Sequence, residues 1–245
     1  MKYYVCIDDT DNIDSIGTGQ LLEELCFEAK SRRLGKSGFT VRYQLFIHED
    51  IPYTSHNSSM CVDFETDTPA DFTAFASRYL EDNSAEGSDP GLCILRDSED
   101  IDYSPLFDFG VRATKEIVTK GEALALAAAF GDDVHLSEHG GTGLGVIGAL
   151  AGAALRAGKA NGRIKGKLFP PDDENVFTFS EFADRFGIEQ FINENESILT
   201  DTGENIEFFF PTKKLYIGGK VTVMLVRNEN GVLIPKPKKG RKDVQ

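Results

Sequence analysis

The sequence has no hydrophobic run long enough to cross a membrane. Its longest weakly polar stretch, residues 143–155, is about 13 residues long, whereas a membrane-spanning helix needs roughly 18 to 20. We interpret this stretch as a buried helix. The apolar run at residues 1–5 is also too short for a signal peptide, because it leads directly into a charged loop. The sequence therefore predicts a cytoplasmic protein with no membrane partner.

Cysteine is scarce, and cations are fewer than anions. No Cys-x-x-Cys spacing occurs, so the four cysteines indicate neither a zinc ribbon nor a disulfide framework. The 26 Lys and Arg residues against 40 Asp and Glu residues give a formal net charge of -14, which repels polyphosphate at long range. A broad nucleic-acid surface is therefore disfavoured. We interpret the one dense basic run, residues 236–242, as a solvated tail.

Hydrophobic periodicity predicts an α/β fold, with a mixed α+β sheet flanked by helices and a smaller, mainly β region at the C-terminal end. Strands of the first region are predicted at residues 3–7, 39–47, 60–64, 91–95 and 134–136. Helices are predicted from Thr18, at 69–80 with Thr68 as N-cap, at 115–130 and at 146–156. Apart from its strand, the segment from Ser84 to Phe109 is predicted to be exposed loop.

A change of character near residue 170 divides the chain into two predicted regions, 1–170 and 171–245. The second region is predicted to contain a helix at 180–192, strands at 206–210, 214–217 and 220–227, and the basic tail. The turn Asn228-Glu229-Asn230-Gly231 predicts a hairpin after the last of these strands.

Three carboxylates crowd the loop after the first predicted strand, at Asp8, Asp9 and Asp11. At about 4 Å and an effective dielectric near 20, each close pair of negative charges costs roughly 4 kcal/mol, which a divalent cation removes. Magnesium takes one or two carboxylates and completes its shell with water and substrate phosphates. We predict Asp8 and Asp11 as metal ligands, and Asp9 as an acid–base group or second ligand. The alternative is a solvated turn that caps the next helix, but the position at a strand end favours function.

The same loop permits a second enzyme class. The pattern Asp9-x-Asp11-x-Ile13 approximates the Asp-x-Asp-x-Thr/Val loop of haloacid-dehalogenase-like phosphatases, although Ile13 departs from it. In this alternative, Gly131-Asp132-Asp133 corresponds to the later acidic motif of those phosphatases. A third alternative is a non-catalytic accessory protein that only binds a nucleotide.

A glycine-rich turn, residues 139–145, leads into the predicted helix at 146–156. Backbone N–H groups of successive glycines before a helix form an anion-binding concavity, and the helix dipole adds positive charge there. We predict nucleotide contacts from these residues: His139, Gly140, Gly141, Thr142, Gly143 and Gly145. The alternatives are a histidine that only caps the turn, and a small-residue helix packed tightly against a sheet. A match of residues 143–148 to the dinucleotide-binding fingerprint is weak, because no firmly apolar strand precedes it.

A polar segment, residues 53–59, lies between two predicted strands and places donors and acceptors side by side. Such a segment suits substrate contact as well as an ordinary polar turn. Within it, we predict His56, Asn57 and Ser58 as substrate contacts.

Together these motifs resemble the kinase-like domain of the archaeal tRNA-isoleucine agmatinylcytidine synthetase family. Five segments carry the resemblance in chain order: Ile7-Asp8-Asp9-Thr10-Asp11, Thr18, residues 52–57, Asp89-Pro90-Gly91 and residues 143–150. The resemblance implies ATP, Mg²⁺ and phosphoryl transfer that activates a substrate oxygen for attack by an amine. In the family that oxygen is the carbonyl of a cytosine base. The resemblance also implies catalytic and metal roles for the three carboxylates.

The resemblance further implies a phosphate-accepting role for Thr18, and we predict Thr10 and Gly17 beside it as nucleotide contacts. Longer members of the family continue into an RNA-binding region and a cysteine zinc ribbon, yet no cysteine follows Cys93. We therefore predict a magnesium-dependent, ATP-binding phosphotransferase or ligase that acts on a small nucleobase, amide or amine. tRNA is not an expected partner, and the oligomeric state is not predicted.

Overall fold

The computed structural model describes residues 1–52, 56–172 and 174–237, and the chain divides into two compact units, Met1–Ala160 and Asn161–Gln245. The boundary between these units follows Ala160, whereas the change in sequence character predicted a boundary near residue 170. Part of the predicted polar segment, residues 53–55, and most of the predicted basic tail lie outside the described residues. The functions predicted for the two regions stay predictions.

The first unit contains a five-stranded sheet in which β1 is central. Its strands are β1 Lys2–Asp8, β2 Lys36–Gln44, β3 Ser58–Glu65, β4 Gly91–Arg96 and β5 Val134–Glu138. They lie in the order β5-β4-β1-β3-β2, and each neighbouring pair is antiparallel. The last residue of β1, Asp8, therefore pairs with Gly91 at the start of β4. The C-terminal end of β1 thus lies beside the N-terminal ends of its neighbours β3 and β4.

Five helices accompany this sheet: α1 Thr18–Ser31, α2 Pro69–Asn83, α3 Ser104–Ala113, α4 Lys120–Ala129 and α5 Gly145–Ala157. Alternate side chains of β1, Val5 and Ile7, join one hydrophobic core with α1 and α2. On the other face, α5 packs against β1, β3 and β4, and nearly all of its residues are buried. The small-residue packing predicted for this helix is confirmed.

Two local predictions in the first unit were wrong. The segment predicted to be exposed loop contains α3, whose Leu106 and Phe109 are buried. The helix predicted at 115–130 starts only at Lys120, because Thr119 and Glu122 form a capping box that fixes its first turn. The residues just before Thr119 consequently form a loop between α3 and α4.

The second unit is mainly β. Its elements are β6 Gly162–Ile164, β7 Val176–Phe177, α6 Phe179–Phe186, β8 Gln190–Ile192, β9 Ile206–Glu207, β10 Leu215–Ile217, β11 Lys220–Arg227 and β12 Leu233–Pro235. The predicted hairpin is confirmed, since Arg227 of β11 pairs with Leu233 of β12. The predicted helix at 180–192 is shorter, because Gly187 ends α6 in the left-handed conformation and β8 follows. Across the described residues of both units, no helix is long and apolar enough to span a membrane.

Candidate functional site

The acidic loop begins where β1 ends, on the sheet face that α5 covers. Side chains alternate along a strand, so Cys6 and Asp8 point to the same face. A Cβ on Gly152 would overlap the Cys6 thiol, and a Cβ on Gly148 would overlap the Asp8 carboxylate. Because these helix positions are glycine, the Asp8 carboxylate reaches the first turn of α5. The helix dipole favours negative charge at that end.

Thr18, the first residue of α1, ties that helix to the acidic loop. Its buried hydroxyl donates to Asp11 Oδ1 at 2.8 Å and accepts from the Thr10 hydroxyl at 3.1 Å. Asp9 adopts a left-handed backbone conformation, with φ of 51°, between the strand and this network. Gly17 is the N-cap residue of α1 and supplies no side-chain cap. The loop conformation is therefore fixed by its own hydroxyl and carboxylate groups.

Burial makes negative charge on the loop unfavourable. Burial, followed by the charge of Asp9, raises the pKa of Asp8 to about 8. Burial, followed by the charges of Asp89 and Asp11, raises the pKa of Asp9 to about 6. A nearby cation favours the ionised form of a carboxyl group. A cation bound next to Asp8 and Asp9 would therefore lower the pKa of both carboxyl groups and stabilise their ionised forms.

The loop forms one wall of a cleft within the first unit. The space between its walls is about 890 Å³, including open solvent at the mouth. Eight of the predicted site residues line it: Asp8, Asp9, Asp11, Thr18, His56, Asn57, Ser58 and Gly145. The cleft thus brings together the acidic loop, the start of α1, the described end of the polar segment and the start of α5. Thr10 and Gly17 adjoin this wall but are not among its lining residues.

Sequence reasoning missed the apolar walls of the cleft. The additional lining residues are Leu45, Asp50, Ile51, Pro52, Ala113, Glu116, Ile117, Val118, Leu144, Ile147 and Gly148. Several of them come from the end of α3, for which no element was predicted, and from the loop before α4, which was predicted as part of a helix. No local signal in the sequence marked these residues, because a single apolar side chain such as Ile117 is common on protein surfaces.

Apart from Leu144 and Gly145, the glycine-rich turn does not line the cleft. The two donors of Thr142 are occupied within the chain, because its N–H and its hydroxyl both donate to the Asp89 carboxylate. Gly141 has φ of 56°, and a Cβ there would overlap the same carboxylate. Lys120 Nζ donates to the carbonyl oxygen of Thr142 at 2.9 Å. In this structure Gly140, Gly141, Thr142 and Gly143 therefore form a closed turn rather than an open concavity.

His139 lies beside β5 instead of in the cleft. Its Nε2 shares a hydrogen bond of 2.8 Å with Ser137 Oγ, and its Nδ1 lies 3.7 Å from Glu81 Oε1. Burial lowers the pKa of His139. This placement fits the structural alternative for the histidine, which is not among the described residues that line the cleft.

The cleft is strongly acidic. Of the described residues that line it, none is Lys or Arg, whereas five carry carboxylates: Asp8, Asp9, Asp11, Asp50 and Glu116. Carboxylate and hydroxyl oxygens belong to the hard ligand class that Mg²⁺ prefers. Within the described ranges, no group of three or more His, Cys, Asp or Glu is arranged to hold a metal ion. A divalent cation here would need further oxygen ligands from a bound substrate, as in nucleotide sites.

Two alternatives from the sequence lose their structural support. The second motif of the phosphatase alternative, Gly131-Asp132-Asp133, forms a short 3₁₀ helix, and Asp133 Oδ1 accepts from Arg96 at 2.7 Å. None of its three residues lines the cleft in the described part of the chain. The dinucleotide fingerprint requires a parallel sheet, whereas the strands of the first unit pair antiparallel.

Comparison with known structures gives several similar folds. A tRNA fluorescent labeling enzyme is 24% identical over 72% of this chain and 37% of its own, with a TM-score of 0.53. Apo TiaS, an agmatidine synthetase for an isoleucine tRNA, is 21% identical over 78% of this chain and 41% of its own, with a TM-score of 0.54. TiaS in complex with that tRNA and ATP is 22% identical over 82% of this chain and 50% of its own, with a TM-score of 0.54.

These likenesses confirm the α/β fold that the hydrophobic periodicity predicted. The chain has an α/β fold similar to those of TiaS and the tRNA fluorescent labeling enzyme, and it spans half or less of the length of those proteins. At identities below 25% the likeness concerns the fold alone. No protein-family model matches the chain, and no curated protein sequence matches it.

Proposed function

We propose that this chain is a magnesium-dependent, ATP-using enzyme that transfers a phosphoryl group to activate an oxygen of a small nucleobase, amide or amine substrate. The observation that carries the proposal is the meeting of Asp8, Asp9, Asp11 and Thr18 on one wall of a cleft with the start of α5. The fold similarity to TiaS, which has been solved with its tRNA and ATP, supports ATP as the nucleotide.

Magnesium suits the donor set of this wall. Asp8 and Asp11 supply carboxylate oxygens, and no Lys or Arg is among the described residues that line the cleft beside them. Bound Mg²⁺ would neutralise charge that develops on a transferring phosphate and would orient it. Asp8 and Asp11 would hold the metal. Asp9 lies between them in the chain, with its backbone in the left-handed conformation.

Thr18 and Asp11 form the proposed proton-transfer pair. The Thr18 hydroxyl already donates to Asp11 Oδ1, so this carboxylate can accept the proton when the threonine oxygen attacks phosphorus. The Thr10 hydroxyl, which donates to Thr18 Oγ1, holds that oxygen in place. The arrangement supports Thr18 as a first phosphate acceptor: its Oγ1 would bond to the γ-phosphorus of ATP while the bond from that phosphorus to the bridging oxygen breaks and ADP leaves. The substrate oxygen would accept the phosphate from Thr18 in a second transfer.

The lining of the cleft supports a small acceptor. Leu45, Ile51, Ile117 and Val118 provide apolar walls, and His56 to Ser58 provide polar groups near the acidic loop. Ligand sites commonly combine such apolar walls with a few polar groups that fix orientation. An acidic cleft in an acidic chain disfavours a polyphosphate polymer as the acceptor.

Calorimetry with ATP, in the presence and absence of Mg²⁺, tests the proposal directly. We expect binding that requires Mg²⁺, followed by formation of ADP or AMP, which phosphorus NMR distinguishes. Asp8→Asn should abolish the magnesium-dependent signal. Asp14→Asn removes an exposed carboxylate from the same loop and is the matched control that should bind normally. Unchanged turnover in Asp8→Asn would show that the acidic loop is not the site.

The two other functions considered from the sequence would give different results in the same assays. Tight ATP binding without any product would indicate an accessory nucleotide-binding protein. Hydrolysis of simple phosphomonoesters without ATP, inhibited by beryllium fluoride, would indicate the phosphatase class and Asp9 as its nucleophile.

A further inference from the structure

The glycine-rich turn was predicted to bind an anion, but two of its donors, the N–H and the hydroxyl of Thr142, already have an anionic partner within the chain. Asp89 precedes β4, and its two carboxylate oxygens accept from the N–H and the hydroxyl of Thr142. A carboxylate that bridges two such donors makes the same kind of charge-assisted contact as a phosphate in a glycine-rich turn.

The glycines of the turn fit Asp89 closely. A Cβ on Gly141 would overlap the Asp89 carboxylate, and a Cβ on Gly145 would overlap the Asp89 main-chain oxygen. The positive φ of Gly141 and Gly143 closes the turn around this contact. The close fit of Asp89 therefore accounts for the glycines at 141 and 145 without a phosphate.

The carbonyl oxygen of Thr142 also has a partner within the chain. Lys120 donates to the carbonyl oxygen of Thr142 at 2.9 Å and pairs with Glu138 at 2.8 Å. A phosphate at Thr142 would therefore lie between two carboxylates, those of Asp89 and Glu138, while the nearby cation is already paired. Charge repulsion therefore makes a phosphate at Thr142 unfavourable in this conformation.

We propose that Asp89 is a positioning residue: its carboxylate takes the place of an anion in the glycine-rich turn, closes the turn to phosphate and fixes the start of α5 beside the acidic loop. Phosphate groups of a nucleotide would then bind at the cleft face of Gly145 and Gly148, not at Gly140 to Gly143. The consequence for turnover rests on the function proposed above, whereas the closure of the turn does not.

Backbone amide NMR of the intact protein with inorganic phosphate tests the closure. In the wild type, the Thr142 amide should resist hydrogen exchange, and phosphate should leave the resonances of residues 140–143 unchanged. Asp89→Ala should lose that protection and should show phosphate-dependent shifts at Gly141 and Thr142 at millimolar concentrations. Asp89→Asn should keep the turn closed, because its amide can accept from the Thr142 N–H and donate to the Thr142 hydroxyl.

Two further variants keep the test decisive. Glu86→Ala removes an exposed carboxylate from the same loop and should behave as the wild type. If Asp89→Ala does not fold, Asp89→Ser leaves a smaller polar group and should open the turn in the same way. Phosphate-dependent shifts of residues 140–143 in the wild type, or a Thr142 amide that stays protected in the folded Ala or Ser variant, would overturn the inference.

The kinetic consequence separates this inference from the proposed function. If ATP turnover is observed, Asp89→Ala should lower kcat by at least about tenfold, because the start of α5 loses its fixed position, with little change in KM for ATP. Asp89→Asn should restore most of kcat. Absence of turnover in every variant would contradict the proposed function and leave the NMR result standing. A rise in KM for ATP without a fall in kcat would contradict the positioning role.

Discussion

At the scale of single residues, a negative charge on Asp8 is unfavourable when no cation is present. Its pKa is raised to about 8, so the folded protein holds this proton more tightly than the unfolded chain does. The protonated Asp8 side chain therefore stabilises the folded protein relative to the unfolded chain. This contribution is fully present below the pKa of Asp8 in the unfolded chain, about 4, and is lost as pH rises toward its pKa of about 8 in the folded protein. Asp8→Asn avoids the loss. In EDTA, thermal unfolding should show the variant more stable by about 2 kcal/mol at pH 8, after allowance for partial solvation.

The same comparison at low pH is the internal control. Near pH 4 both side chains are neutral, so the two proteins should have equal stability. Asp14→Asn, in the exposed part of the loop, should change stability at neither pH. A stability difference between Asp8→Asn and the wild type that does not vary with pH would show that packing, rather than charge, is responsible.

Thr18 permits a test that separates structure from chemistry. Thr18→Val leaves the Thr10 hydroxyl and the Asp11 carboxylate without their hydrogen bonds to Thr18 Oγ1, which should cost about 1–3 kcal/mol. Thr18→Ser keeps both bonds and should lose little stability. After incubation with Mg-ATP, intact-mass measurement should show one added phosphate on the wild type and on the serine variant, and none on the valine variant. Phosphate added to Thr18→Val would exclude Thr18 as the acceptor.

At the scale of elements, the glycines of α5 behave differently from an ordinary helix glycine. Replacing an unhindered helix glycine with alanine stabilises a helix by up to about 1 kcal/mol. Gly121 of α4 is such a position, because a Cβ there meets no atom of the described chain within 4 Å. Gly148→Ala should instead destabilise the protein, because the new methyl group would overlap the Asp8 carboxylate.

Denaturant unfolding of the two variants measures this difference. We expect Gly121→Ala to be as stable as the wild type or more stable, and Gly148→Ala to be less stable by about 1–3 kcal/mol, the usual range for overpacking. Gly148→Ala should also lose magnesium-dependent ATP binding, whereas Gly121→Ala should retain it. Normal ATP binding by folded Gly148→Ala would show that the start of α5 is not part of the nucleotide site.

Local sequence patterns predict some of the helices and strands but not how the strands pair. β1, α1 and the β11–β12 hairpin have their own local signals, and the structure has them where the sequence predicts them. Local periodicity does not specify partners, so the antiparallel order of the first sheet could not be derived from it. α3 was missed because the polar stretch before it suggested that the loop continued. Asp89 was missed as the partner of Thr142 because 53 residues separate them.

In the candidate site, too, local features could be predicted and features that depend on distant residues could not. The acidic loop could be predicted, since three carboxylates directly after a buried strand are a local and costly feature. The role of the glycine-rich turn could not, because the same glycines suit either a phosphate or a close carboxylate. Only the position of Asp89 decides between them, and that position depends on the pairing of β4 with β1 and β5.

At the scale of the whole molecule, the net charge of -14 bears on the choice of acceptor. Proteins that bind nucleic acid neutralise several phosphates with Lys and Arg, and their affinity falls steeply as salt rises. Here the cleft has five carboxylates and, among its described lining residues, no Lys or Arg. Any tRNA that approached the cleft would meet repulsion at long range and again at the site.

We therefore expect no measurable tRNA binding at physiological salt, and no effect of added tRNA on ATP consumption. Small nucleobases, amides and amines should stimulate ATP consumption instead, because they carry too little negative charge to be repelled. Filter binding from low to physiological salt, together with a coupled ADP assay, measures both effects. tRNA binding with a steep salt dependence would reveal a basic surface able to offset the charge of the cleft, and the small-acceptor assignment would then be wrong.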